Sequence, residues 1–389
     1  MDVLIVGASA AGLSTAEALR RLGHDGGLTL LDAEPHLPYD RPPLSKQVLA
    51  GAWEPERARL RGRPQLDALG AEFVRGEPAV ALDVGARAVT TASGRVLRAD
   101  AVVLATGLVP HRLPGQDGLA GVHVLRGLDD ALTLRAHLTP GTRLVVVGEG
   151  VLGGEIAATA RGLGLEVTLA GLGQAVLGDQ LGAHVGGLLT RVHAERGVRL
   201  RLGVAVRELV GDGGRVTGVR LATGELLPAD AVVVAVGSRP ATGWLDGSGL
   251  GLGDGVECDA RCRAAAGVWA VGDVASFHHE GLGRRLRLEN RTNATEQAQT
   301  VAANILGADR PYTPIPYFWT DQYDVKIQAH GLPSPAAAVT VAEGDPEQHR
   351  FAALYREGGR VTAVLGWNMP KQARLLRQQV LAGQPLTPA

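Results

Sequence analysis

Hydrophobic positions along the chain fall into short unbroken apolar runs separated by stretches with helical spacing. That is the pattern of parallel strands buried on both faces and alternating with helices. The first run, Val3-Leu4-Ile5-Val6, feeds Gly7-Ala8-Ser9-Ala10-Ala11-Gly12 and an Ala-rich helix near 12–22, with a second strand at Leu28-Thr29-Leu30-Leu31. A Pro-rich loop at 35–43 precedes a helix, and β segments run from about 72 to 104. The same logic recurs over 143–236: strand 143–147, helix about 152–163, strand 166–169, a long helix near 182–195, then β pairs ending in Val232-Val233-Val234-Ala235-Val236. Beyond 237, Val268-Trp269-Ala270-Val271 reads as a buried strand ending in Gly272-Asp273, and Asn293 to about Leu306 as a helix. Pro311, Pro314 and Pro316 mark a boundary. After it, strands are expected at 323–330, 337–343, 350–356 and 361–367, with a helix near 370–382. The fold class is therefore α/β: two Rossmann-like dinucleotide-binding domains plus a C-terminal α+β domain.

Two apolar strands running into Gly-rich turns carry the chemistry. A strand, such a turn and then a helix aim the helix N-terminus at a pyrophosphate. The second turn is Gly148-Glu149-Gly150-Val151-Leu152-Gly153-Gly154-Glu155. One such turn is weak; two, each heading its own βαβ unit, imply two dinucleotides held face to face, one of which stays bound. In the first turn Ser9 stands where a middle Gly is usual, small enough for the backbone still to approach a phosphate. Asp32 and Glu34 lie at the end of the second strand, where one acid would accept from the adenosine ribose and the other would be a solvated loop acid. Ala105-Thr106-Gly107 and Gly237 close two further strands on small residues, and Asp273 is suited to ribityl hydroxyls.

Composition excludes several other classes. With 39 Lys plus Arg against 40 Asp plus Glu, the net charge of −1 lacks the basic footprint of a nucleic-acid binder. No apolar run reaches the roughly 18 residues of a membrane span, and a first strand starting at Asp2 leaves no room for a signal peptide, so the expected location is cytoplasmic. Cys258 and Cys262, spaced C-x3-C, read as plain side chains of a strand–turn segment, and no metal site is expected. His278 and His279 read as loop side chains. No general-base constellation is evident.

In order along the chain stand P-Y-D-R-P-P-L-S-K (Pro38–Lys46), A-T-G (105–107), G-x-G-x-x-G-x-E (148–155), G-D (272–273) and P-Y-F-W-T-D-Q-Y (Pro316–Tyr323). Over essentially its whole length the chain resembles the FAD-dependent NAD(P)H:ferredoxin reductases of bacterial oxygenase systems, the putidaredoxin reductase-like pyridine nucleotide-disulfide oxidoreductases. The resemblance implies an FAD-binding domain from two segments (1–110 and 238–310), an NAD(P)H-binding domain (111–237) and a C-terminal domain (311–389) covering the flavin. It implies FAD as cofactor, NADH or NADPH as hydride donor and a small acidic [2Fe–2S] ferredoxin as partner, with the protein a monomer or weak homodimer. By position, Lys46 would sit beside the isoalloxazine and pair with Glu155, near the nicotinamide. An ammonium there would stabilise negative charge left by hydride delivery, and the carboxylate would orient it. Trp319 completes the catalytic set by packing at the flavin or nicotinamide. Arg41 and Arg126 would meet FAD phosphates or ring edges. Ala79, Gly171 and Gly237 join the cofactor-binding set with Gly7, Ser9, Ala10, Ala11, Gly12, Gly148, Gly150, Val151, Leu152, Gly153, Gly272, Asp273 and Arg291.

Two departures qualify the carry-over. Val167-Thr168-Leu169 is followed by Ala170-Gly171 where the family usually has an acid for the NADH ribose, and no Arg follows through 178 to greet a 2′-phosphate. Weak discrimination, with NADH modestly ahead, is expected. The family's E-H-W-x-N-A becomes Glu289-Asn290-Arg291-Thr292-Asn293-Ala294, replacing an aromatic by Arg. Arg284, Arg285, Arg287 and Arg291 form a basic group that would help dock the ferredoxin. A rubredoxin reductase, the flavin subunit of another reductase complex or an apoptosis-inducing-factor-like NADH-binding flavoprotein would share the motifs. An NADH oxidase or peroxidase would be expected to carry a Cys near Ser45.

Overall fold

The computed structural model describes residues 1–382; residues 383–389 of the expected third domain lie outside it. The apolar runs become the centres of two sheets, the first parallel except at one edge and the second parallel throughout. In the first, Val3–Val6 is flanked by Leu28–Asp32 and Ala101–Leu104, with Val3 opposite both Leu28 and Ala101. Glu72–Arg75 extends one side, and the chain returns at Val268–Ala270 and Arg263–Ala265 to extend the other. Residues from the 260s thus complete a sheet begun at residue 3. The second sheet runs Arg199–Leu202, Glu166–Gly171, Arg143–Val147, Ala231–Val234, Val122–His123, all parallel. Central strands of both sheets are buried, apart from exposed Arg143 at the start of one, which is why they read as continuous apolar runs.

The chain passes between these sheets twice, and the two passages pair: Leu108–Pro110 lies antiparallel to Ser238–Pro240. Thr106 Oγ1 donates to the Ala241 carbonyl at 3.0 Å, tying the start of one passage to the end of the other. A third, antiparallel sheet has the order Tyr317–Gln322, Val325–Gly331, Arg360–Trp367, Arg350–Glu357, Ala338–Asp345, with the helix Pro370–Ala382 against it. Phe351, Tyr355 and Trp367 fill its inner face and join Leu44, Val48, Ile156 and Val185 in one apolar cluster. The Tyr355 hydroxyl donates to the Leu181 carbonyl across that junction at 2.8 Å.

Four expectations change. Tyr317–Gln322 is itself a strand, turning at Tyr323 (φ 56°) into the strand expected from 323. In place of one helix after the Pro-rich loop stand two 3-10 turns, Pro42–Ser45 and Pro55–Ala58, and a single short helix, Arg63–Asp67. The long helix spans Gly178–Glu195 and breaks at Gly182, whose φ of 76° is open to glycine. His278 and His279 belong to the strand Ala275–His279 and are not loop residues; His279 is buried, with Nε2 2.9 Å from the Pro314 carbonyl.

Candidate functional site: a cleft facing two helix N-termini

The helix Ala10–Arg21 starts within the first Gly turn, and the helix Val151–Gly162 within the second. In each turn the glycine at the start of the helix, Gly12 or Gly153, is compulsory. A Cβ on Gly12 would lie 1.8 Å from the Gly7 carbonyl oxygen, and one on Gly153 1.8 Å from that of Gly148. Helix and strand can approach this closely only without side chains. Both helix starts open on one cleft of about 390 Å³, Ser9, Ala10 and Ala11 from one side, Val151 and Leu152 from the other. Neither N-cap, Ser9 nor Gly150, makes a side-chain cap. The first amides of both helices are thus left without the side-chain acceptor that caps commonly provide.

Lys46 and Glu155 meet across the cleft. Lys46 Nζ donates to Glu155 Oε2 at 2.6 Å and lies 5.1 Å from the centre of the Trp319 ring. The Ser45 hydroxyl donates to the same carboxylate oxygen at 2.5 Å, and the Thr320 hydroxyl to Oε1 at 3.0 Å. Glu155 is therefore fully engaged and only 5% exposed, the condition under which a buried charge is tolerated. Helical spacing puts Glu155 one turn beyond Val151, on the same side. Its position is locked by the Thr159 hydroxyl, which donates to the Ser45 carbonyl at 2.8 Å and holds the Pro42–Ser45 turn on the helix. From Thr320 the network continues to Gln322, whose side-chain nitrogen donates to Thr320 Oγ1 at 3.2 Å and whose Oε1 lies 2.7 Å from buried His193 Nε2.

Cations and acids alternate around the rest of the cleft. Arg126 faces Asp273 at 3.4 Å; burial, and then the like charge of Arg41, pull its guanidinium pKa down. Two cations held this close under poor solvation favour an anion between them. Arg41 donates to the Arg126 carbonyl at 2.7 Å and to Glu34 at 2.8 Å. Burial raises the Glu34 pKa, but Arg41 and the Tyr39 hydroxyl outweigh it and hold the carboxyl low. Arg291 enters the cleft, fixed by Asp40 at 2.8 Å. Gly272 brings the Gly-Asp turn onto the first helix: its φ is 76°, and a Cβ would lie 2.8 Å from that of Ala11. These features fit a dinucleotide with an anionic centre: a helix start, half-buried Arg126 and Arg41, and an acid at the far end.

Of the residues expected at a site, the cleft gathers Ser9, Ala10, Ala11, Arg41, Lys46, Ala105, Thr106, Gly107, Arg126, Val151, Leu152, Glu155, Gly272, Asp273, Arg291 and Trp319. It does not bring Gly7, Gly12, Asp32, Glu34, Ala79, Gly148, Gly150, Gly153, Gly171 or Gly237 into its lining. The turn glycines act by shape, beneath the helix starts. Asp32 braces the first turn, accepting from Ala8 N–H at 2.7 Å and Glu34 N–H at 2.9 Å, and is not a solvated loop acid. Ala79 opens a strand of a separate antiparallel sheet, Ala79–Asp83, and packs on the core. Sequence reading missed Ser45 and Thr320, the two hydroxyls on Glu155, as well as Asp40 and Phe318. All four lay within quoted motifs, Asp40 and Ser45 in Pro38–Lys46 and Phe318 and Thr320 in Pro316–Tyr323, but none was read as a site residue.

Three further points bear on the reading. The basic group does not stand free: Arg285 donates to the Cys258 and Ser276 carbonyls, Arg287 pairs with Asp254 and Glu289, and Arg291 pairs with Asp40. Strand-edge carbonyls and neighbouring acids engage three of the four. Cys258 and Cys262 are free and buried; burial pushes both thiols up, Cys262 to about 12, so neither is a reactive thiolate. The place of the missing acid at Gly171 is filled from elsewhere, by the carboxylate of Glu149.

Residues 1–298 match the family model of the pyridine nucleotide-disulphide oxidoreductases, and 317–389 match that of the reductase C-terminal domain. The chain is 37% identical to a probable ferredoxin reductase, CtmF, of Castellaniella defragrans over 97% of this chain and 93% of that one. It is 36% identical to the ferredoxin–NAD(+) reductase subunit of the benzene 1,2-dioxygenase system of Pseudomonas putida, covering 98% and 92%. Among solved structures, the reductase in a covalent putidaredoxin reductase–putidaredoxin complex superposes with a TM-score of 0.93 at 33% identity, covering all of this chain and 94% of that one. Among the described residues no helix is long and apolar enough to cross a membrane. Its two Gly turns, shared cleft and C-terminal sheet thus agree with both family matches, and the chain belongs to the pyridine nucleotide-disulphide oxidoreductase family, beside the ferredoxin reductases of oxygenase systems.

Proposed function

We propose that this protein takes hydride from NAD(P)H onto FAD and passes electrons singly to a small acidic [2Fe–2S] ferredoxin serving an oxygenase such as a cytochrome P450 or Rieske dioxygenase. The observation that carries this reading is the single cleft onto which both helix N-termini open, with Lys46 and Glu155 joined across it. Bound flavin supplies the conversion of a two-electron donor into one-electron transfers. The chain supplies position and charge. Ala10 and Ala11 offer helix-start amides, and Arg126 and Arg41 positive charge, to the FAD pyrophosphate. Asp273 accepts from ribityl hydroxyls, and Thr106, Gly107 and Arg291 line the remaining wall. Val151 and Leu152 present the start of the second helix to the nicotinamide dinucleotide. Lys46, held against Trp319 by Glu155, places an ammonium where negative charge develops on the isoalloxazine. Ser45 and Thr320 orient Glu155.

The proposed division follows the paired crossing strands: FAD-binding 1–110 and 238–310, NAD(P)H-binding 111–237, and a C-terminal domain 311–389 over the flavin. A cytoplasmic monomer or weak dimer completes the proposal. The test is anaerobic reduction of cytochrome c by NADH with the purified holoprotein, alone and with a panel of [2Fe–2S] ferredoxins. Strong stimulation by at least one ferredoxin is expected. Rapid flavin reduction by NADH, with cytochrome c reduction that no ferredoxin or rubredoxin accelerates, would overturn the electron-transfer role.

A further inference from the structure

The acid that reads the adenosine ribose in a dinucleotide-binding unit ordinarily stands at the end of the second strand. Here that position is Gly171, and the segment from 170 to 178 offers no acid and no cation. The space is nevertheless occupied. A Cβ on Gly171 would lie 1.6 Å from Glu149 Oε2, and one on Gly173 2.4 Å from Glu149 Oε1. The Glu149 carboxylate therefore sits in the volume into which an acid at 171 would grow, reached from the opposite side. The backbone on either side is tied to this strand end: Gly148 N–H donates to the Ala170 carbonyl at 2.7 Å, and the Glu149 carbonyl accepts from Leu177 at 2.9 Å.

The Gly173 N–H donates to Glu149 Oε1 at 2.7 Å and fixes the carboxylate. Among the described residues no protein group donates to Oε2 and no cation pairs with Glu149, although the residue is only partly exposed. Arg201, on the neighbouring strand, is taken by Glu225 through both carboxylate oxygens, at 2.9 and 3.0 Å. We infer that Glu149, within the Gly turn, is the residue that accepts from the adenosine ribose hydroxyls and makes the protein selective for NADH over NADPH. A 2′-phosphate would meet a fixed anion with no guanidinium to receive it. Glycines at 171 and 173 and the acid at 149 form one exchanged unit, in which the acid has moved from the strand end to the turn. This replaces the weak discrimination expected from the bare Gly171.

The inference rests on the hydride-transfer reading, and two readouts separate them. Calorimetric titration of the holoprotein with NAD+ and NADP+ measures selectivity without turnover, and steady-state flavin reduction measures kcat/KM for NADH and NADPH. Glu149→Gln is the informative variant, because its amide oxygen can still accept from Gly173 while the charge is gone. The wild type is expected to favour NAD+ and NADH by about tenfold or more, the scale of one charged hydrogen bond. E149Q is expected to lose most of that ratio, through weaker NADH and stronger NADPH binding. Equal affinities in the wild type, or an E149Q ratio within about twofold of the wild type's, would overturn the inference, since a role confined to bracing Gly173 moves neither. Selective NAD+ binding without flavin reduction would leave Glu149's role standing and remove the hydride reading.

Discussion

At the scale of single residues, the account turns on a buried charge pair whose members act in opposite directions. Lys46 and Glu155 share a 2.6 Å contact at 12% and 7% side-chain exposure, so each is the other's principal compensation. With Lys46 against the isoalloxazine, as proposed, Lys46→Met removes the ammonium that favours added negative charge and leaves Glu155 opposing it. The flavin midpoint potential is expected to fall. Glu155→Gln leaves the ammonium uncompensated, and the potential is expected to rise. Each shift should be roughly 30 mV or more, equivalent to about 1.4 kcal/mol for a two-electron couple. Dye-linked redox titration of the two variants checks the signs; shifts in the same direction would exclude the assigned geometry. Lys46 and Glu155 were legible because each lay in a long motif. Ser45 and Thr320 were not read as site residues, because their roles exist only once the Pro42–Ser45 turn and the strand Tyr317–Gln322 close on the second helix. Glu149 escaped for the same reason: only the parallel register of Val147 with Ala170 brings it to Gly171.

At the scale of elements, the two strand–turn–helix units were the most legible part of the chain, since a strand buried on both faces and a turn stripped of side chains both leave marks in sequence. What stayed hidden was the first strand of the C-terminal sheet, Tyr317–Gln322, whose mixture of aromatic and polar residues reflects a face turned toward the cleft. The two turns are alike in build and are expected to differ in consequence. Gly12→Ala forces a methyl to within 1.8 Å of the Gly7 carbonyl oxygen, and Gly153→Ala does the same at Gly148. In each case backbone must move, and the helix start retreats from its phosphate. G12A is expected to purify largely without flavin. G153A is expected to keep its flavin and bind NAD+ at least about tenfold more weakly, the scale of a lost charged hydrogen bond. Visible absorbance and calorimetry distinguish these outcomes; flavin loss from G153A with retention in G12A would reverse the assignment of the turns.

At the scale of the whole molecule, function depends on three sheets meeting at one cleft. The first sheet is completed by the returning strand Val268–Ala270, the second is reached through the paired crossings at 108–110 and 238–240, and the third contributes Phe318 and Trp319. Order along the sequence announced the first two units; the closing of the cleft came from apolar contacts between residues as distant as Leu44, Ile156 and Trp367, which no local pattern encodes. The central claim is that a dinucleotide on the second unit delivers hydride to a flavin on the first. The measurement that tests it most directly is anaerobic titration of the purified flavoprotein with NADH, followed by visible absorbance. Complete bleaching of the flavin at one equivalent is expected, with no ferredoxin present. Unchanged absorbance in excess NADH, with flavin bound and NAD+ binding intact, would contradict the account.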